Sequence, residues 1–232
     1  MKGRNSVTDE RLGRVVVCVA ILVSLGFLPG SNSEESTNTT ARVIADSVEQ
    51  FSDKQGANGW SYGYWDQSTD QDYRQETDFQ LLKHFGDDRK NGLSGRSEFT
   101  TGKLWYLEDG QFFTSLWAEG GHANSPIKLG KYAAAKHWAV RRWKSSTTSA
   151  CTIRGRIGKV MPWGKNWSGH CRARIIVDGK EVFSEIMDED GQDYSVKVDL
   201  EQGSMVDFLI GPEPSIGVMQ FTARIETRVE AQ

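Results

Sequence analysis

Apolar residues at every second position, broken by short turn sequences, recur too often along this chain for a helical fold to use them. Tyr194, Val196, Val198 and Leu200 alternate with Ser195, Lys197 and Asp199. Val206, Phe208 and Ile210 alternate with Asp207 and Leu209, and Met219, Phe221, Ala223 and Ile225 with Gln220, Thr222 and Arg224. Side chains on a strand point alternately to its two faces, so each run predicts a half-buried strand with one dry and one wet face. Many such strands, with no regular helices between them, predict an all-β chain of two antiparallel sheets packed as a sandwich.

Two Asp-Gly pairs supply tight hairpins. Asp109-Gly110 lies between Leu104-Trp105-Tyr106 and Phe112 to Trp117, and Asp178-Gly179 joins Arg174-Ile-Ile-Val177 to Glu181-Val-Phe183. Only Tyr132-Ala-Ala-Ala-Lys-His137 reads as locally helical. The 232 residues fit one larger β domain. Its expected bounds are 44–230, after a polar linker at 34–43 and a signal peptide at 1–33. The signal reading rests on Lys2, Arg4, Arg11 and Arg14 preceding the apolar run Val15 to Leu28, with Ser31-Asn32-Ser33 beyond it. That run has the length of a signal helix rather than a membrane span, so no membrane association is expected once it is removed.

A net charge of −3 leaves no basic excess for a nucleic-acid backbone, which excludes that class of partner. Export places Cys151 and Cys171 where a disulfide is chemically permitted. The strands Cys151 to Ile157 and Cys171 to Ile175 read as one hairpin closed by Pro162 to Gly169, however, and this register sets the sulfurs far apart. Two buried free thiols are expected.

The densest aromatic stretch is Gly59-Trp60-Ser61-Tyr62-Gly63-Tyr64-Trp65. Trp60, Tyr62 and Tyr64 share one parity and read as core, whereas Trp65 has the other and reads as the exposed ring. Its glycines suggest turns or a close backbone approach. Together with Phe51-Ser52, Gln55-Gly56, Ala139-Val140-Arg141-Arg142-Trp143 and the segment Ile175 to Phe183, this stretch resembles the carbohydrate-binding-like (galactose-binding-like) jelly-roll modules of secreted bacterial proteins. The resemblance spans about residues 44 to 228 and implies a jelly-roll sandwich, export to the periplasm, cell surface or medium, and a polysaccharide or glycan as ligand. The chain departs from the family in one place. Where such modules carry a short Gly-Asp-Gly turn, it has Met161-Pro-Trp-Gly-Lys-Asn-Trp-Ser-Gly-His170.

That loop is the first candidate site. A pyranose ring presents a C–H face that flat aromatics cover and hydroxyls that polar groups bind. Trp163 and Trp167, with Asn166, Lys165 and His170 beside them, have this composition; equally, both indoles would serve to plug a sandwich edge. Trp65 is a second platform. In Ala139 to Trp143, one arginine is expected to face solvent, and Arg142 either packs against an aromatic or carboxylate or anchors an acidic sugar.

Asp188, Asp190 and Asp193 surround a glycine and offer hard oxygen ligands for structural calcium, as do Asp66, Asp70 and Asp72; solvated acidic loops are the alternative. Neither has the EF-hand spacing, and no other cofactor is implied. The four histidines form no metal-ligand spacing, and no Gly-x-Ser-x-Gly elbow appears. His122 reads as either a loop residue or part of a site. Three functions follow in order: a non-catalytic glycan-binding module, a structural or protein-binding sandwich, and a small polysaccharide lyase or hydrolase.

Overall fold

Strand follows strand through the residues described by the computed structural model, which are 39–86, 103–107, 111–159, 171–187, 191–213 and 217–230. The N-terminal signal reading and the Asp109-Gly110 turn lie outside them. The described residues all belong to one compact unit, Thr37–Gln232. Among them no helix is long and apolar enough to cross a membrane.

The first strands are β1 (Thr39–Asp46), β2 (Trp60–Asp66), β3 (Gln80–Leu81), β4 (His84–Gly86) and β5 (Leu104–Tyr106). Then come β6 (Ser115–Leu116), β7 (Gly120–His122), β8 (His137–Lys144), β9 (Ser149–Lys159) and β10 (Arg172–Val177). The last are β11 (Lys180–Ile186), β12 (Gln192–Leu200), β13 (Met205–Gly211), β14 (Val218–Phe221) and β15 (Arg224–Glu230). They form two antiparallel sheets. One has nine strands, in the order β1-β15-β9-β14-β7-β6-β5-β4 with β12 also on β9; the other has six, β11-β10-β13-β8-β2-β3.

The alternating positions supply the layer between the sheets. Trp60, Tyr62, Ile153, Ile157, Ile175 and Ile225 are each fully buried, and side chains of this size each contribute roughly 2 kcal/mol on burial. Ring contacts cross the layer, among them Phe183 with Tyr194 at 5.0 Å. Tyr62 stacks on Trp105 with centroids 5.8 Å apart, and Phe208 meets Phe221 edge-on at 5.7 Å. The hairpin from β10 to β11 turns through Asp178 (φ 46°) and Gly179 (φ 78°), with Val177 opposite Lys180. Positive φ at both central positions matches the strand twist, as the Asp-Gly pair predicted.

Four expectations are corrected here. The polar linker was expected to reach residue 43, but β1 starts at Thr39 and pairs with β15 from there. Tyr132 to His137 forms no helix. Asn124 Nδ2 donates to the carbonyls of Ala133 and Ala135 at 3.0 and 2.9 Å, and the Ala135 N–H donates to Ser125, so these groups are spent on a neighbouring segment. Cys151 and Cys171 are indeed free and buried, but for a different reason. Their strands are not a hairpin; β9 lies in the nine-stranded sheet and β10 in the six-stranded one. Finally, Asp207, expected on a wet face, is fully buried.

Candidate functional site

The buried aspartate shows that the outer face of the six-stranded sheet is covered. Residues 67–79, between β2 and β3, cross it as a strap. Tyr73 and Phe79 from the strap pack with Trp65, Trp138, Val140, Ile176 and Leu209 as a second apolar cluster. Gly63 admits the strap's end, since an added Cβ would meet the Phe79 ring and the Gln80 carbonyl at 2.4 Å.

Polar fastenings hold the strap down. Arg142 binds Asp207 through two bonds of 2.8 Å and donates to the Gln75 carbonyl, and its guanidinium lies 4.1 Å from the Phe79 ring centre. The Tyr73 hydroxyl donates to the same aspartate at 2.5 Å. Gln75 reaches further: its amide donates to the Met205 carbonyl at 3.1 Å and its oxygen accepts from the Gly179 N–H at 2.7 Å. Burial, reinforced by the Asp207 charge, pushes the Tyr73 phenol far above its ordinary range. Burial lowers the Arg142 guanidinium, but hydrogen bonding and attraction to Asp207 outweigh it and hold the group above its usual value.

The expected site residues therefore fall as follows. Trp65 has the parity assigned to it but is 2% exposed, not an open ring, because Tyr73 at 5.2 Å and Trp138 at 5.6 Å cover that face. Neither arginine points freely to solvent. Arg142 is locked into the strap, and Arg141, 2% exposed, faces inward and donates to the carbonyls of Trp117, Ala118 and Phe221. Trp163, Asn166 and Trp167 lie outside the described residues, as do Asp188 and Asp190. Asp193 is exposed and paired with Arg156 at 3.1 Å. Of the other acidic set, Asp70 pairs with Arg74, and Asp66 accepts from the Ser68 N–H. Among the described residues no three His, Cys, Asp or Glu side chains gather as a metal site. His122 is a buried strand residue, stacked on Phe113 at 4.7 Å, with Nδ1 2.5 Å from the Ala123 carbonyl.

Beside the strap the sheet is open. A groove of about 400 Å³ runs between the strap's first turn and the strands β8, β10 and β11. Trp65, Trp138 and Tyr73 line it, and because both tryptophans are nearly buried their rings form its bed rather than a free stacking face. The strap contributes Gln67, Gln71 and Asp72. Arg172 and Arg174 come from β10, Glu181 and Ser184 from β11, and Glu213 follows β13.

The groove's groups are ordered by one another. Trp138 Nε1 donates to Gln67 at 2.8 Å, whereas the buried indole N–H of Trp65 has no partner among the described residues. Arg174 pairs with Glu181, its guanidinium 5.4 Å from the Trp138 ring centre. Arg172 donates to Ser184 at 3.2 Å and lies 3.5 Å from Glu213, whose other oxygen takes Lys136 at 2.6 Å. Donors and acceptors thus alternate over an aromatic bed, the arrangement that holds a polyhydroxylated ligand.

Sequence reasoning singled out only Trp65 and Asp72 among the groove residues, the latter as a calcium ligand. A signal was present. Placing Cys171, Ala173 and Ile175 inward puts Arg172 and Arg174 outward on one strand, and the Asp178-Gly179 hairpin brings Glu181 beside them. The strap gave no such signal, since its polar composition reads as a solvated loop.

Neither a protein-family profile nor a curated protein matches the sequence. Solved structures similar to the chain include carbohydrate-binding modules. A family 35 module from Clostridium thermocellum is 12% identical with a TM-score of 0.28, over 43% of this chain and 82% of the module. A family 35 module from Cellvibrio japonicus is 11% identical with a TM-score of 0.33, over 60% and 84%. The CBM51-2 and INT domains from Clostridium perfringens ZmpB give 10% and 0.34, over 66% and 31%. Identity and superposition are both low, and it is the geometry of the groove that defines its chemistry.

Proposed function

We propose that the protein is an exported, non-catalytic carbohydrate-binding β-sandwich that holds a glycan in the groove on the outer face of its six-stranded sheet. The observation that carries this reading is the bed of Trp65 and Trp138 beneath a rim of mutually ordered polar side chains. Gln71, Arg174 and Glu181 meet the sugar hydroxyls. Hydrogen bonding thus does most of the holding here, because the bed is too covered for a ring to lie flat on it. Stacking belongs to a separate part of the proposal, in which Trp163 and Trp167, with Asn166, add a platform. Their loop leads directly into β10, the strand that bears Arg172. Export rests on the basic and apolar N-terminal run.

Affinity electrophoresis of the mature chain through gels containing single polysaccharides tests the proposal. At least one polysaccharide is expected to retard the protein, and Arg174→Ala, at the groove, to weaken that retardation roughly tenfold, the loss of one charge-assisted contact. No retardation by any polysaccharide contradicts the function. Retardation unaffected by Arg174→Ala but abolished by Trp163→Ala and Trp167→Ala moves the site to the loop.

A further inference from the structure

Resting on that reading, we infer that Glu181 and Glu213 make the groove selective for uncharged glycans, by occupying the two arginines that an acidic sugar would otherwise recruit. Arginine is the side chain best suited to a carboxylate or sulfate, through its planar fork of donors. Here each guanidinium already has a carboxylate beside its Nε. Arg174 is bound by Glu181 and lies against the Trp138 ring, and Arg172 is shared between Glu213 and Ser184. The outlying cation Lys136 is engaged as well, on the second oxygen of Glu213.

Charge counts against an anion in the same way. Among the described residues the lining holds two arginines and three carboxylates, those of Asp72, Glu181 and Glu213, and Lys136 sits on Glu213, so the groove offers no net positive charge before any ligand arrives. An incoming uronate or sulfate would lie beside a protein carboxylate at each arginine, whether it displaced that carboxylate or took the remaining N–H groups. Like charges placed together disfavour the wrong partner, which is how many sites discriminate. A neutral sugar meets no such conflict. Its hydroxyls donate to lone pairs the carboxylates still have and accept from guanidinium N–H groups left over by the ion pairs. The carboxylates therefore serve both as acceptors for the right ligand and as a screen against the wrong one.

The pairs are partly open to water, with side-chain exposures of 23% and 42% for Arg174 and Glu181, and 32% and 33% for Arg172 and Glu213. Exposed pairs of this kind are individually weak, so the two together set a discrimination of roughly threefold to thirtyfold rather than an absolute barrier.

The test compares the parent chain with the double variant Glu181→Gln, Glu213→Gln, which keeps the shapes and hydrogen-bonding capacity while making the lining net positive. The probes are galactomannan and mixed-linkage β-glucan as neutral polymers, and polygalacturonate and alginate as acidic ones. The parent is expected to be retarded by a neutral polymer and more weakly, by roughly threefold to thirtyfold, by the acidic ones. The double variant should gain retardation by polygalacturonate or alginate, roughly tenfold over the parent, and lose that gain as salt is raised. Stronger retardation of the parent by an acidic polymer than by a neutral one overturns the selectivity while leaving glycan binding intact. Failure of the folded double variant to gain acidic binding overturns it too. Absence of any binding by the parent sinks both the selectivity and the function it rests on. Glu181→Gln alone, at the more exposed of the two carboxylates, gives the same reading if the double variant does not fold.

Discussion

Arg141 and Arg142 are neighbours on β8 that point to opposite faces of one sheet, and both are taken out of water by different means. Arg141 enters the layer between the sheets, where its described hydrogen bonds all go to backbone carbonyls, and burial lowers its guanidinium from the usual value. Arg142 goes to the outer face, where it finds a carboxylate, a tyrosine and a phenylalanine. His122 follows the inner pattern, buried against a single carbonyl and an aromatic ring. Arg141 and His122 in the interior are thus met by backbone, whereas Arg142 and Asp207 on the outer face are met by one another. The difference teaches where ligand chemistry is available. Charged side chains that order each other on a partly open face present a surface that a polar ligand can join; carbonyl-bound groups in a closed core do not.

The comparison can be strained first at the outer face. Asp207→Ala leaves Arg142 in place with no carboxylate and removes the acceptor for Tyr73, so unfolding by denaturant should become easier by about 4 kcal/mol, the cost of stranding one member of a buried pair. Replacing the pair together, as Arg142→Met with Asp207→Leu, should cost far less. If the single change costs no more than the double one, the strap is not held by this pair.

The inner pattern predicts a dependence on pH. Burial holds the His122 imidazole down at about 4, below its ordinary value of 6.5, with only the Ala123 carbonyl opposing the shift. A group depressed in the folded state contributes stability that is fully present above the unfolded value and is lost as pH falls through the folded one. Stability should therefore decline below about pH 6.5 and be lower by about 3 kcal/mol near pH 4. His122→Gln should flatten that part of the profile. An unchanged slope in the variant would place the acid sensitivity elsewhere.

Much of the sandwich was legible because strand alternation and Asp-Gly turns are local signals. Tyr194 and Leu200 are buried and Ser195, Lys197 and Asp199 exposed along β12, as alternation requires. What could not be read was the third layer. Trp65 was given the right face but the wrong environment, because the residues that cover it, Tyr73 and Phe79, arrive within a stretch of Gln, Asp, Glu and Thr that carries no periodicity. Asp207 was misread for the same reason, since its partner lies on another strand and its cover in the strap. The groove was hidden one level deeper. It assembles Gln67, Arg174 and Glu213 from distant parts of the chain, and nothing in sequence spacing brings those three together.

The central claim is that the ligand lies on the bed of Trp65 and Trp138, and the indole N–H of Trp65 reports on it directly. Among the described residues that buried N–H has no hydrogen-bond partner, and Trp65 lines the groove, so a sugar settling there should change the surroundings of its ring. Titrating a neutral oligosaccharide while following the tryptophan side-chain N–H resonances by NMR should shift the Trp65 signal saturably, with backbone changes at Arg172 and Arg174. Saturable shifts confined to residues outside the groove, with Trp65 unmoved, would contradict the account.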